Sequence, residues 1–304
     1  MNKAAHQFRT YLWIVETIRR CQPITLGEIM RRWTNTSMSE GEPLNRRTFI
    51  RARNAVEEMF DIRIECSGGG GPSATYSIDG DSLRGNSLQR WMLSTMSVSG
   101  AVRDARQVQD RILLESVPSG DLLLTEVTRA MQNNHTLRVR YQKFVDSEPY
   151  EAEVEPYCLK LFHQRWYMLA HRIDRTYLAI YALDRMLDAV ETDTPFSIPA
   201  DFEPESYFYH MFGVFQPSGE QKPQRVLLRT YNGEWNYLRT LPLHHTQREI
   251  GGGGGFVDFS YTLCATHDFK MELLSRITNI EVLEPSSLRQ DIREMLLQGV
   301  ERNS

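Results

Sequence analysis

Apolar residues recur every three or four positions over the first sixty residues and then, from about residue 134, every second position, so the chain passes from helical to strand periodicity. Phe8, Tyr11, Leu12, Ile14, Val15 and Ile18 form a helical stripe that stops at Gln22-Pro23, because proline steers the preceding residue away from helical geometry. Thr25-Leu26-Gly27-Glu28 reads as a capping box, with Thr25 as N-cap and Glu28 reaching back, followed by an apolar stripe of Leu26, Ile29, Met30 and Trp33. Asn45 can cap a third helix that turns Phe49, Ala52, Val56 and Met59 or Phe60 inward. Arg46, Arg47, Arg51 and Asn54 then face outward. Two alternating strands, residues 62–66 and 74–78, flank a loop with four successive glycines. Three helices and a hairpin in this order predict a winged helix-turn-helix over residues 1–80.

Residues 81–133 keep a helical pattern through Leu88, Trp91, Met92 and Met96, then Val108, Ile112 and Leu113, then residues 122–127 with Met131. This stretch is a helical linker and a candidate dimerisation region. Over residues 134–204 five short strands are predicted: 137–142, 154–162, 165–171, 177–183 and 186–190. So many short strands in so few residues favour a small barrel over an open sheet. Residues 205–304 begin with the aromatic cluster Tyr207, Phe208, Tyr209, Phe212 and Phe215, and continue in the order βαββαβ, that of a ferredoxin-like split unit, with a final helix over 286–300. His244 and His245 fall on its second strand, pointing to opposite faces, and Gly251 to Gly255 reads as a loose hairpin loop. The fold class is α+β.

Charge sharpens the picture of the first domain. The net charge of −4 argues against indiscriminate coating of nucleic acid, yet Arg46, Arg47, Arg51 and Arg53 fall within eight residues that hold no acid. Basic residues at the start of a third helix are what a recognition helix presents to the major groove. Arg47 and Arg51 are assigned to base contacts, with Asn45, Arg46, Thr48 and Arg53 positioning the helix on phosphates. A solvated charged face is the plain alternative.

The segment Gln164-Arg165-Trp166-Tyr167-Met168-Leu169-Ala170-His171-Arg172, with Ala182-Leu183-Asp184-Arg185-Met186 and Glu155-Pro156-Tyr157, resembles the core of the WYL domain, a ligand-sensing module of bacterial transcription regulators. Met168 stands where the family has leucine, an exchange that conserves volume. Alternation sends Trp166, Met168 and Ala170 to one face and Arg165, Tyr167, Leu169 and His171 to the other. The ending Glu281-Val282-Leu283-Glu284-Pro285-Ser286-Ser287-Leu288-Arg289 is similar to the extension that follows WYL domains. The resemblance implies an Sm-like barrel and a basic pocket for an anionic effector, such as a nucleotide or nucleic-acid fragment. The residues it points to are Tyr141, Lys143, Arg165, Tyr167, His171 and Arg185. One departure concerns that site: Ala179 and Ala182 flank Tyr181 where related domains often carry an arginine. Arg185 pairing with Asp184 or Asp188, and Tyr167 packing in the core, are the structural alternatives.

Other chemistries find little support. Cys21, Cys66, Cys158 and Cys264 are scattered without the spacing of a zinc site or a disulfide framework, so four reduced, mostly buried thiols are expected. The histidines lack metal-ligand spacing, the glycine run near residue 70 is not followed by Lys-Ser/Thr, and no catalytic motif appears. No metal, no cofactor and no enzymatic activity are expected. Without a signal-peptide pattern or a long apolar run, a cytoplasmic protein is expected. The reading that unites these features is a homodimeric, sequence-specific regulator of double-stranded operator DNA, acting as a repressor under control of an anionic effector. A nucleic-acid-processing accessory protein or enzyme is the alternative.

Overall fold

Burial follows the helical stripes in the computed structural model, which describes residues 3–39, 41–69, 73–79, 120–219 and 221–304, with short pieces at 89, 91–92, 94–96, 98–99 and 110–113. It divides into two compact units, Met1–Glu115 and Ser116–Ser304. Leu88 and Val108 of the linker stripes, and Gly70 to Pro72 of the glycine loop, lie outside the described residues.

In the first unit, α1 (Lys3–Cys21), α2 (Leu26–Thr34) and α3 (Arg46–Phe60) bury Ile14, Ile18, Ile29, Phe49, Ala52 and Val56 in one core. Strands β1 (Ile24–Thr25), β2 (Ile64–Ser67) and β3 (Thr75–Ile78) form a sheet in the order β1-β3-β2, with Ile64 opposite Ile78 and Ile24 opposite Tyr76. The sheet meets α3 where the Tyr76 ring packs edge-on against Phe49, 4.8 Å between centres. Thr25 caps α2 by accepting from the Glu28 amide at 3.2 Å. The reciprocal half of the capping box is absent: the Glu28 carboxylate turns outward to Arg31 and Arg32, because two cations one turn away outbid a single amide. Of the linker, Gln89 donates to Asp61 at 2.8 Å and Met96 packs on the helical core.

The second unit holds two sheets. The first runs β7-β6-β5-β4-β8 from β4 (His135–Tyr141), β5 (Tyr150–Phe162), β6 (Arg165–Arg172), β7 (Leu178–Ala182) and β8 (Met186–Pro195), every neighbour antiparallel. Helix α4 (Asp121–Asn133) packs Val127 and Ala130 against Leu137, Val139, Met168 and Ala170. No ladder joins β7 to β8 among the described residues, so the closed barrel that strand spacing predicts is replaced by an open five-stranded sheet. The β5–β6 turn places His163 and Gln164 at φ 47° and 62°, the left-handed pair that a two-residue hairpin needs to match strand twist.

After a short helix α5 (Pro204–Phe208) come β9 (Gln224–Tyr231), α6 (Glu234–Thr240), β10 (Arg248–Gly253), β11 (Phe256–Leu263), α7 (His267–Ser275), β12 (Ile280–Glu284) and α8 (Ser286–Arg302). Sheet order β10-β11-β9-β12, all antiparallel, is the split βαββαβ arrangement, with Leu228, Phe259, Phe269, Leu273 and Ile292 in its core. Two local expectations are corrected here. Gly251 to Gly253 are strand residues paired with β11, since a ladder needs backbone and not side chains. His244 and His245 precede β10 in a turn that brings their rings within 4.1 Å, so they do not point to opposite faces.

Candidate functional site: a basic helix face and a five-stranded sheet

Helix α3 begins where the Asn45 side-chain oxygen accepts from the Thr48 amide at 2.8 Å, which fixes the first turn and satisfies one of its orphan donors. Asn45, Arg46, Arg47 and Arg51 are exposed, and Thr48 and Arg53 are half-buried. Arg53 leans along the helix, its Nε 3.6 Å from Glu57 and its Nη2 3.4 Å from the Asn54 oxygen. Burial raises the Tyr76 phenol above its ordinary value, while Arg46 and Arg53 act in the opposite sense. Phe49, which packs on Tyr76, is three residues after Arg46 and four before Arg53, so those two arginines lie on the hairpin side of α3. Arg47 and Arg51, one turn apart, make no hydrogen bond or ion pair among the described residues. Their charge is free for a partner.

On the sheet formed by β4 to β8 the cations are differently placed. Arg165 lies 3.3 Å from Asp184, whose side chain is 8% exposed. His171 is held at both ring nitrogens, by Glu155 at 2.9 Å and the Arg175 carbonyl at 2.8 Å. Glu155 stands directly opposite His171 in the β5–β6 register. Tyr141 is buried, receives the Ala182 amide at 3.3 Å and meets Tyr150 and Tyr181 edge-on. Burial pushes its phenol up. Tyr167 is half-buried and likewise pushed up by burial, with Arg165 pulling the other way. The segment after β8 covers part of this sheet: Phe196 stacks on Tyr157 and Phe202 meets it edge-on at 5.0 Å. Leu169, predicted on the polar face, is fully buried.

Arg185 and Lys143 are the exceptions. The Arg185 guanidinium lies 5.6 Å from the Tyr141 ring centre and 4.8 Å from that of Phe144, and its buried Nε has no hydrogen-bond partner. Lys143 is exposed and sits 5.6 Å from the Tyr150 ring centre. Phe144 itself is 78% exposed. A backbone bond from the Gln142 amide to the Arg185 carbonyl, 3.2 Å, ties the two neighbourhoods together. Gly120, at φ 65°, lets the chain before α4 press against Leu183 and Asp184, where an added Cβ would come within 2.7 Å of Leu183 Cβ. The turn that carries Arg185 is thus held from behind.

Sequence reasoning missed Lys160. Its Nζ donates to the Gly213 carbonyl at 2.7 Å and lies 4.2 Å from the Phe208 ring centre, and burial lowers the ammonium to about 8 with Asp268 opposing. Asp268 in turn accepts the amides of Val214 and Phe215 at 2.7 and 2.8 Å. The only local signal was a lysine alternating with Cys158 and Phe162, because every partner lies more than forty residues away. The four cysteines are free, with Cys158 and Cys264 buried and Cys66 exposed. Among the described residues no group of three or more His, Cys, Asp or Glu could hold a metal ion, and no helix is long and apolar enough to cross a membrane.

Sheet and split unit coincide with two domains. Residues 123–191 match the WYL domain and residues 222–299 the WCX domain. The chain carries both. No curated protein matches it. Among solved structures it is similar to proteasome accessory factor B/C (PafBC) of Arthrobacter aurescens, at 18% identity and a TM-score of 0.33, over 94% of this chain. It spans 45% of that protein's length. A CRISPR Cas-related protein is similar at 10% identity and a TM-score of 0.38, over 86% of this chain and 74% of its own. Within the WYL domain, the predicted residues separate into Arg165 and His171, each paired with a carboxylate, a half-buried Tyr167, a buried Tyr141, and the cations Lys143 and Arg185 without an ion pair among the described residues.

Proposed function

We propose that this chain is a sequence-specific DNA-binding transcription regulator, in which α3 enters the major groove and the WYL and WCX domains act as its sensor. The observation that carries the reading is the pair Arg47 and Arg51, exposed and unpaired on the first two turns of a capped helix beside a β-hairpin. Guanidinium forks of that kind bond guanine O6 and N7 bidentately, while Asn45, Arg46, Thr48 and Arg53 position the helix on phosphates. Two copies of the chain, related by a two-fold axis, would present two such helices to two half-sites. The WYL and WCX matches favour this reading over a nucleic-acid-processing accessory protein or enzyme.

The effector is an anion, a nucleotide or nucleic-acid fragment, received at Arg185 and Lys143. The Arg185 guanidinium makes no ion pair among the described residues, and the exposed Phe144 beside it offers a ring for a base to stack on. Binding shifts DNA affinity because the ligand favours one dimer geometry, and repression is relieved as that geometry changes. The test is salt-dependent binding to duplexes enriched from a random pool, with and without nucleotides. A regulator shows a preferred sequence whose affinity falls steeply with salt. Equal binding to all duplexes would sink the reading.

A further inference from the structure

A cavity of about 480 Å³ opens where the β5–β6 turn of the WYL domain meets α6 and α7 of the WCX domain. It lies apart from the Arg185 and Lys143 pair, neither of which lines it. Its walls are aromatic: Phe162 meets Phe212 edge-on at 5.9 Å and His163 at 4.1 Å, and Tyr237 is 69% exposed at the rim. Glu272 and Arg276 supply its charge. Arg276 is already committed, its Nη1 to Glu234 at 2.5 Å and its Nε to Glu272 Oε1 at 2.8 Å. One guanidinium held by two carboxylates leaves an excess of negative charge, and Glu272 Oε2 takes no hydrogen bond among the described residues. Of the guanidinium nitrogens only Nη2 takes no carboxylate among the described residues, so an anion entering here would meet that one nitrogen beside two carboxylates. A cation meets one carboxylate oxygen with spare capacity and the electron-rich faces of the rings.

We propose that this cavity binds a small organic cation with a flat apolar body, an aromatic amine, whose ring packs among Phe162, Phe212 and Tyr237 and whose ammonium reaches Glu272. The site goes beyond the DNA-binding reading and does not depend on it. Because the cavity is built by both domains, its occupant bridges WYL and WCX.

The test is calorimetric titration of the full chain near neutral pH with three probes of similar shape: 2-phenylethylammonium, neutral 2-phenylethanol and anionic 3-phenylpropanoate. The ammonium is expected to bind about tenfold more tightly than either of the others, the scale of one charge-assisted hydrogen bond. Tyr237→Ala, at an exposed position that leaves the core intact, is expected to weaken the ammonium about threefold or more. Glu272→Gln is expected to abolish the preference over the alcohol. Should Glu272→Gln unfold the chain, as circular dichroism would show, the Tyr237→Ala result decides alone. Equal affinity for the three probes, no binding of the ammonium at millimolar concentration, or indifference to Tyr237→Ala would overturn the proposal. DNA binding by the same preparation is read separately, so either claim can fail without the other.

Discussion

Helix α3 and strand β6 are both rich in cations, and they use them in opposite ways. On α3 the neighbours of Arg47 and Arg51 are other outward residues of the same helix, and nothing in the described unit neutralises them. On β6 the register puts Glu155 opposite His171, and the turn after β7 brings Asp184 to Arg165. A helix face at the surface exposes its charges by default, whereas a strand inside a sheet is flanked on both sides by other strands that can answer them. Charge counted along the sequence is therefore a guide to free charge on the helix and a poor one on the sheet.

The largest effect that would break this contrast is at α3. Arg47→Glu with Arg51→Glu should lower affinity for the enriched duplex by about 100-fold or more while leaving circular dichroism and melting unchanged, since neither side chain supports the fold. Loss of folding in that double variant would show that the arginines are structural and that the contrast is false. Next comes Asp184→Asn, which strips Arg165 of its partner and turns a paired cation into an open one. It should cost about 1–3 kcal/mol, measured by urea unfolding, and increase the binding of inorganic phosphate. His171→Ala removes two hydrogen bonds at a half-exposed position and should cost about 1 kcal/mol in the same measurement.

Protons supply a gentler probe of the second unit. His244 is buried beside His245 and His210, and desolvation first, then those neighbours, lower its pKa from the ordinary 6.5 to about 4. The unfolded chain takes up the proton first as pH falls, so the stabilising contribution is intact above 6.5 and is lost as pH drops through 4. The melting temperature should decline over that window, and His244→Gln should flatten the decline. Smallest of all, Arg31→Ala removes an exposed cation from Glu28 and should leave melting unchanged, as surface pairs usually do.

What was legible in the sequence was what depends on near neighbours. The stripes of α1 to α3, the Thr25 and Asn45 caps, and the βαββαβ order follow from periodicity and from residues three or four apart. What was not legible depends on distant partners. The WYL resemblance points to Tyr141 as a ligand contact, yet in its strand's alternation with Arg138 and Arg140 it is the inward member, between Tyr150 and Tyr181. Leu169 shares a face with Arg165 and His171 yet is fully buried opposite the buried Cys158, next to the Tyr157 on which Phe196 and Phe202 pack, which alternation within one strand cannot reveal. Lys160 and Asp268 acquire meaning only when Gly213 is brought between them, where a Cβ would collide with the Asp268 carboxylate. The glycines of β10 misled for a different reason: glycine is common in loops, but a ladder accepts it when the partner strand supplies the side chains.

Enrichment from a random pool of DNA duplexes, run in parallel on the full chain and on its Arg47→Glu, Arg51→Glu variant, tests most directly that the free cations of α3 read DNA. The full chain should enrich a two-fold symmetric sequence and the variant should enrich none. Enrichment of the same sequence by both proteins, or of none by the full chain, would contradict it.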